Sequence, residues 1–466
     1  MNEDFTPEKL KQRDLDRIRG YKELLDFYHG QHWEGYPRYG EKRLTFNYAK
    51  VVIDKITSYL MSGRTFTVEA TLDSDEAKAR ARRAEQTLYR VYEENNLEQL
   101  DFETEIDCAI LGDACYKVVW DTETKSVRVT APDIQGIYAW WAGDDTAQMW
   151  RVVSRYSLTG EEVEMLYKVK PKNKTAGIVE VWTVPGFELW LDNVLVEKKP
   201  NPYGFIPFII YPNLREPKKF WGISDVHQLM QPQRELNRAM SQLSRILELS
   251  GNPIAVLENV EESEDIAVKP GAVWNIPEDA KAYLLDLLQG GGVGLHIDYI
   301  NLLYRILHDV SESPRSAFGG TERDLSGVAL EIELQPLLQK VKRKRLIRTA
   351  VYNQRNRMTL KLLEKYRNED FGDYRLRAVW AAVLPRDMER LVTNEQILVQ
   401  NGIHSRRRAM DEIGIEDPER EFKDWLEERE IILRMNQQLN TRPARNDVRG
   451  RERKGARNNP EEAEIG

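Results

Sequence analysis

Apolar residues recur at helical spacing from the start of the chain: Leu10, Leu15, Ile18, Tyr21, Leu24, Leu25 and Tyr28, with Pro7 where a first helical turn tolerates proline. A turn-rich segment, 30–40, separates this from a second helical pattern between Phe46 and Met61, closed by Gly63. Arg64 to Glu69 alternates as a strand does. Asp73 or Ser74 is placed to cap a helix reaching about Asn95, and another runs from about Leu97 to Leu111, stopping at Gly112.

From Cys115 the period changes to two. Residues 116–120 and 126–129 flank Asp121-Thr122-Glu123-Thr124-Lys125, a hairpin signal, and strand-like runs follow near 147–157, 178–184, 187–191 and 194–197. Pro200, Pro202, Pro207, Pro212 and Pro217 then predict an extended, irregular connector. The first part of the chain, to about residue 215, reads as one α+β unit.

After Trp221-Gly222 the pattern is helical again, with Ser224 as a predicted N-cap and an apolar stripe from Val226 to Leu247; Pro232 predicts a kink or a later helix start. A β-leaning insert, 251–292, separates this helix from a second one carrying Leu295, Tyr299, Leu302, Leu303, Ile306, Leu307 and Val310. The order suggests an antiparallel pair with a small module at its tip. Residues 311–324 lack periodicity, and a loop of that length inside a compact domain tends to be functional or mobile. Ser326 opens a long helix to about Tyr366, bent at Pro336, and a helical unit covers about 386–437. The tail from Thr441 lacks the apolar residues a core needs and is expected to be disordered.

Composition narrows the class. The chain has 466 residues, 41% hydrophobic and 31% charged, enough for packed cores in two to four domains. Two cysteines, Cys108 and Cys115, are too few for a disulfide scaffold and suit a reducing compartment as buried thiols. The N-terminus shows no secretion signal, and the most apolar run, Phe205 to Tyr211, is far short of the ~20 residues of a membrane span. With 68 basic against 76 acidic side chains the net charge is −8, which argues against a generic nucleic-acid binder.

A search for chemistry finds no catalytic, cofactor or metal site. The dipeptide Gly-Lys does not occur, so no phosphate-binding P-loop is present. Gly290-Gly291-Gly292-Val293-Gly294 lacks dinucleotide-binding spacing and reads as a hinge; no G-x-S-x-G element exists. His29 and His32 would share a helix face, but no ligand cluster completes a metal set beside them. Trp140-Trp141-Ala142-Gly143-Asp144-Asp145 pairs aromatic rings with acids, yet adjacent carboxylates in one turn cannot flank a scissile bond, so an aromatic core edge with a polar turn is the better reading.

Charge is unevenly spread. Residues 340–357 carry eight basic residues and no acid, with Lys340, Lys342, Arg343, Lys344 and Arg345 the densest part. Such a stretch points to an anionic partner or an acidic neighbouring surface, with a solvated face or a subunit contact as the plainer reading. The insert 251–292 has eight acids and two lysines, densest at Glu261, Glu262, Glu264 and Asp265, and would attract a basic protein surface.

Several short sequences in a fixed order resemble the portal proteins of tailed double-stranded-DNA bacteriophages, of the siphophage type. They are Tyr28-His29-Gly30 with Trp33; Thr45-Phe46-Asn47-Tyr48-Ala49-Lys50-Val51-Val52-Ile53-Asp54; Trp221-Gly222-Ile223-Ser224-Asp225; Leu236-Asn237; Ser250-Gly251-Asn252-Pro253; Pro270-Gly271; and Ser326-Gly327-Val328-Ala329-Leu330.

The resemblance implies a non-enzymatic α+β portal fold, carried over as follows: an α/β wing over 1–222, stem helices over 223–250 and 293–310, and a small β-rich clip over 251–292. A tunnel loop would cover 311–325, a long helix and the rest of the wing 326–385, a helical crown 386–440 and a disordered tail 441–466. It also implies a homo-oligomeric ring, usually of twelve subunits, at one capsid vertex of the virion, assembled in the host cytoplasm. The ring would nucleate the head, pass double-stranded DNA during packaging and ejection, and meet the terminase large subunit, a head-completion adaptor, scaffold and major capsid proteins, with no membrane. Arg315, Phe318, Gly319, Gly320 and Arg323 would lie nearest DNA on the tunnel loop, and Glu261, Glu262, Glu264 and Asp265 on the clip's docking surface. The alternatives are a non-ring virion or scaffold protein and a cytosolic DNA-processing enzyme.

Overall fold

Helix punctuation shapes the first part of the chain. The computed structural model describes residues 7–170, 173–251, 254–258, 281–285, 292–319, 327–383, 388–415 and 418–440, which fall into two compact units divided after Val383. Helices α1 (Pro7–Arg13) and α2 (Leu15–Tyr28) are one amphipathic run interrupted at Asp14. Before α3 (Tyr48–Met61), the Asn47 side chain accepts from the Lys50 amide and so satisfies a first-turn donor. Strand β1 (Arg64–Ala70) leads to α4 (Asp75–Glu94), where Ser74 plays the same capping part. Helix α5 (Leu97–Leu111) ends at Gly112, whose φ of +91° suits glycine; a Cβ there would also stand 2.8 Å from the Ser224 amide.

Two antiparallel sheets follow. Strands β2 (Asp113–Asp121) and β3 (Ser126–Thr130) form the expected hairpin, while β4 (Ile137–Ala142) and β5 (Asp145–Thr159) start a second sheet. After the short helix α6 (Gly160–Tyr167), that sheet continues through β6 (Thr175–Thr183), β7 (Gly186–Leu191) and β8 (Val194–Pro200) as a simple meander. The expected irregular connector is only partly irregular: Phe208–Pro212 is β9, which pairs with β2 opposite β3. Its prolines stand at or beyond its ends, so they remove no ladder bond from its middle. Lys117 of β2 reaches Glu180 of β6 at 2.6 Å and links the two sheets.

A 3-10 turn at His227–Leu229 runs into α7 (Met230–Gly251). Pro232 falls in the first turn, where its missing N–H is harmless, so no kink is required. Strands β10 (Ile254–Glu258) and β11 (Lys281–Leu285) pair antiparallel, and α8 (Gly292–Ser311) returns, with Gly292 and Gly294 in its first turn rather than in a hinge. The predicted long helix is two helices, α9 (Gly327–Glu333) and α10 (Gln335–Arg367), parted at Leu334 because Pro336 opens the second. Strand β12 (Tyr374–Trp380) then pairs with β1, bringing distant parts of the first unit together.

Around α10 lies the main core, with Phe66, Leu88, Tyr116, Val118, Ile209, Tyr211, Tyr352, Leu360 and Leu363 buried together. The second unit comprises α11 (Met388–Gln400), α12 (Arg406–Ile413) and α13 (Pro418–Asn440). Ser405 caps α12, and Arg406 lies over Trp425 at 4.2 Å.

The predicted tail 441–466, Ser326 and most of the acidic insert lie outside the described residues.

Candidate functional site

Helices α7 and α8 form an antiparallel pair, with the Tyr299 hydroxyl donating to Glu235 Oε1 at 3.3 Å and the end of α8 beside the turn that precedes α7. The base of α7 is fastened by a polar stripe. Gln233, Asn237 and Ser241 recur every four residues and are buried against residues 44–49. The amides of Ala49, Phe46 and Leu44 donate to Gln233 Oε1, Asn237 Oδ1 and Ser241 Oγ at 3.1, 3.0 and 3.0 Å. Because Asn237 Oδ1 is an acceptor, its Nδ2 donates to His32 Nδ1 at 2.7 Å, and His32 Nε2 in turn donates to the Phe27 carbonyl at 2.9 Å. Both ring nitrogens are thereby used, and burial lowers the imidazole pKa, which suits this neutral tautomer. His32 is a tie-point of the α7 base.

The segment Trp221–Asp225 forms a joint. A Cβ on Gly222 would lie 2.4 Å from the Gly112 carbonyl oxygen, so the two backbones touch only because the residue is glycine. The Gly222 amide and the Tyr21 hydroxyl both donate to Asp113, each at 2.7 Å. Burial pushes the Asp113 carboxyl up to about 6 despite these bonds. Ser224 is not the cap of α7: its hydroxyl donates to the Ile110 carbonyl and accepts from the Val226 amide, closing a local turn. The Asp225 amide donates to the Ala109 carbonyl at 2.9 Å.

Asp225 is where the basic stretch arrives. Its carboxylate, 1% exposed, pairs with Lys340 at 2.9 Å and with Lys344, both 1% exposed. Lys340 also donates to the Ser311 carbonyl at 3.0 Å, at the end of α8. Burial opposes the charge on Asp225, but Lys344 and Lys340 hold its pKa well below the ordinary range. Burial lowers that of Lys344, aided by Lys340 and Arg348, against the pull of Asp225.

The pattern continues along α10. Arg348 places two nitrogens on Glu105 Oε2, at 2.9 and 2.8 Å, and also donates to the carbonyls of Pro212 and Asn213 and to Asn213 Oδ1 and Cys108 Sγ. Arg355 pairs with Asp101, which also takes Arg64 at 2.5 Å. The basic stretch therefore presents Lys340, Lys344, Arg348 and Arg355 to acids of this same chain. Of the other predicted residues, Arg343 pairs with Glu312 at 2.6 Å, and Arg345 donates to the carbonyls of Tyr59, Leu60, Ser62 and Ala381. Lys342 is exposed.

The first half of the predicted loop is ordered. Ser311 ends α8, Glu312 takes a left-handed φ of +56°, and a 3-10 turn at Arg315–Phe318 closes on Gly319 at φ +85°. Phe318 is not a free tip: its ring lies edge-on to His308 at 5.4 Å, and His308 lies edge-on to Tyr304 at 4.6 Å. Arg315 is exposed, its guanidinium 5.9 Å from the Tyr304 ring centre. Gly320, Arg323, Glu261, Glu262, Glu264 and Asp265 lie outside the described residues.

The tryptophan–acid cluster is structural. Trp140 and Trp141 lie in the last part of β4, with Trp141 stacked on Phe220 at 4.5 Å, and Gly143-Asp144 makes the turn into β5. Among the described residues no group of three or more metal-ligating side chains comes together, and no helix is long and apolar enough to cross a membrane.

Asp101, Glu105, Asp113 and Asp225 are the important residues that charge patterning did not single out. One signal was available, since Asp101, Glu105 and Cys108 share the face of α5 that carries its apolar residues.

A family model described as phage portal protein, SPP1 Gp6-like, matches residues 8–433, and no curated protein matches the chain. That span takes in the paired helices, the joint at Asp225 and the long helix, and on it the chain belongs to the family of SPP1 Gp6-like phage portal proteins.

Proposed function

We propose that this protein assembles into a ring, of twelve subunits, around a DNA channel at the portal vertex of the virion. On this reading it seeds head assembly, passes double-stranded DNA during packaging and ejection, and docks the terminase large subunit and a head-completion adaptor. Scaffold and major capsid proteins meet its outer parts. The α7–α8 pair is the stem, the segment from 251 to 292 the clip, and the turn after α8 the start of the tunnel loop. The first unit up to α7, with α10 and β12, is the wing, and the second unit the crown.

The observation that carries the reading is the joint. Lys340 binds both Asp225, just before the stem, and Ser311, where the stem ends, so one residue of α10 anchors the base of the helical hairpin in the body of the subunit. A subunit that keeps its position in a ring while DNA moves past needs such a fixed base.

Net charge fits a conduit. At −8 per chain the ring is acidic, and a wall that does not neutralise phosphates lets a polyanion slide. The most buried part of the basic stretch is consumed inside the subunit, which leaves the exposed Lys342 and Arg343 and the half-buried Arg345 facing outward among its first five residues.

Deleting residues 316–322 should leave rings intact but impair packaging or genome retention. Normal DNA-filled heads from that variant would remove the loop's role. Reversing Glu261, Glu262 and Glu264 to lysine should weaken motor docking, and unchanged docking would count against the clip assignment.

A further inference from the structure

A polar cleft of about 760 Å³ lies between residues 32–43 and one face of α7. Its rim carries two tyrosines held almost entirely in solvent, Tyr36 at 96% and Tyr39 at 107% exposure, on a turn bounded by Gly35 and Gly40, both at positive φ. Its floor is an arginine row on α7, where Arg234, Arg238 and Arg245 share one side of the helix, and Arg38 joins them from the turn. Glu34 and Glu41 also line the cleft, paired with Arg234 and Arg43, and Arg38 lies close to Glu41, whose carboxylate accepts from its backbone amide. The Arg38 and Arg245 side chains form no ion pair within 4 Å among the described residues, and the basic groups outnumber the acids. Exposed tyrosines beside arginines are the residue types that concentrate binding energy at protein interfaces.

The chain also carries a surface of the opposite sign. Glu103 and Asp107, one turn apart on the exposed face of α5, have Asp133 near them, from the loop that follows β3. None of the three pairs with a cation among the described residues. Partial desolvation raises the Asp107 carboxyl, and Asp133 and Glu103 raise it further. Asp133 accepts from the Gln135 amide and side chain and Glu103 from Gln99 Nε2, but these donors are neutral and leave the negative charge in place.

We propose that the tyrosine–arginine cleft receives the Glu103–Asp107–Asp133 ridge of a second copy of this chain, in a head-to-tail contact. The two surfaces are on different elements, and each carries a surplus of one sign that the other offsets. A contact between unlike patches propagates from copy to copy and closes as a ring where the rotation permits. The inference rests on the ring reading and adds the residues through which neighbours meet.

The test uses side chains that make no ion pair within the subunit, so the fold keeps its own pairs. Purified full-length wild type and variants are weighed by mass photometry at low and high salt. R38E/R245E should shift rings toward the 54.3 kDa monomer, and adding E103R/D107R to the same chain should restore rings. Y36S/Y39S, which changes no charge, should also weaken assembly, and wild-type rings should loosen as salt screens the contact. Rings of unchanged mass and salt resistance from R38E/R245E would overturn the proposal, as would failure of the fourfold swap to restore them. A wild type that is monomeric throughout would instead overturn the ring reading itself.

Discussion

The Lys340 ammonium stands 2.9 Å from an Asp225 carboxylate oxygen and 3.0 Å from the Ser311 carbonyl, so one side chain holds the chain on both sides of the helical hairpin. The charges around it are unequal in number, since two buried lysines share one carboxylate.

That inequality predicts an asymmetry. D225N leaves two ammonium groups buried without a counter-charge and should cost about 3–5 kcal/mol. K340M leaves a one-to-one pair of Asp225 with Lys344 and loses chiefly the bond to Ser311, about 1–3 kcal/mol. Urea melts of the two variants decide the matter. A larger loss in K340M would mean that Asp225 is not the centre of the joint.

Arg348 uses its fork on Glu105, two backbone carbonyls, Asn213 and Cys108. A lysine has three donors on a point charge and cannot reach them all, so R348K should cost about 2–4 kcal/mol through orphaned acceptors. The exposed Arg357 on the same helix is the control, and R357K should change stability by about 0.5 kcal/mol or less. Equal losses would contradict this use of the basic stretch.

Asp113 gives a pH signature. Its folded pKa, raised to about 6 from 3.8, means that the folded chain holds this proton more tightly than the unfolded chain. Its contribution therefore falls as pH rises through that window, reaching a cost of about 3 kcal/mol above it. D113N should remove this decline, so the variant gains on wild type between pH 4 and 7. Parallel stability–pH curves for the two proteins would refute the assignment.

Glu312 sits at φ +56°, a conformation that costs a non-glycine residue about 1 kcal/mol, and its carboxylate holds Arg343. E312G relieves the strain and loses a surface ion pair of similar size, so the melting transition should barely move. The turn that follows should loosen, and trypsin cleavage after the exposed Arg315 should quicken several-fold. Unchanged cleavage would show that the ion pair does not order the turn.

Much of the fold was legible because local signals carried it. Ser74, Gly63 and Gly112 punctuate helices where capping chemistry says they should, while the Asn47 cap of α3 carried no separate signal. Strand β9 was obscured by its flanking prolines, which suggest an irregular chain unless its partner β2 is known. The basic stretch was legible as a charge anomaly but not as a buried one. Lys340, Lys344, Arg348 and Arg355 recur on the same helical face as Leu337, Val341 and Tyr352, which marks a buried stripe. Their acids at 101, 105 and 225 lie more than a hundred residues away, and only the fold brings them into range.

The central claim is that this chain forms a DNA conduit, and negative-stain electron microscopy of the purified full-length protein tests it most directly. The account predicts uniform annuli with a central hole wide enough for a duplex. Monomers, or assemblies with no channel, would contradict it.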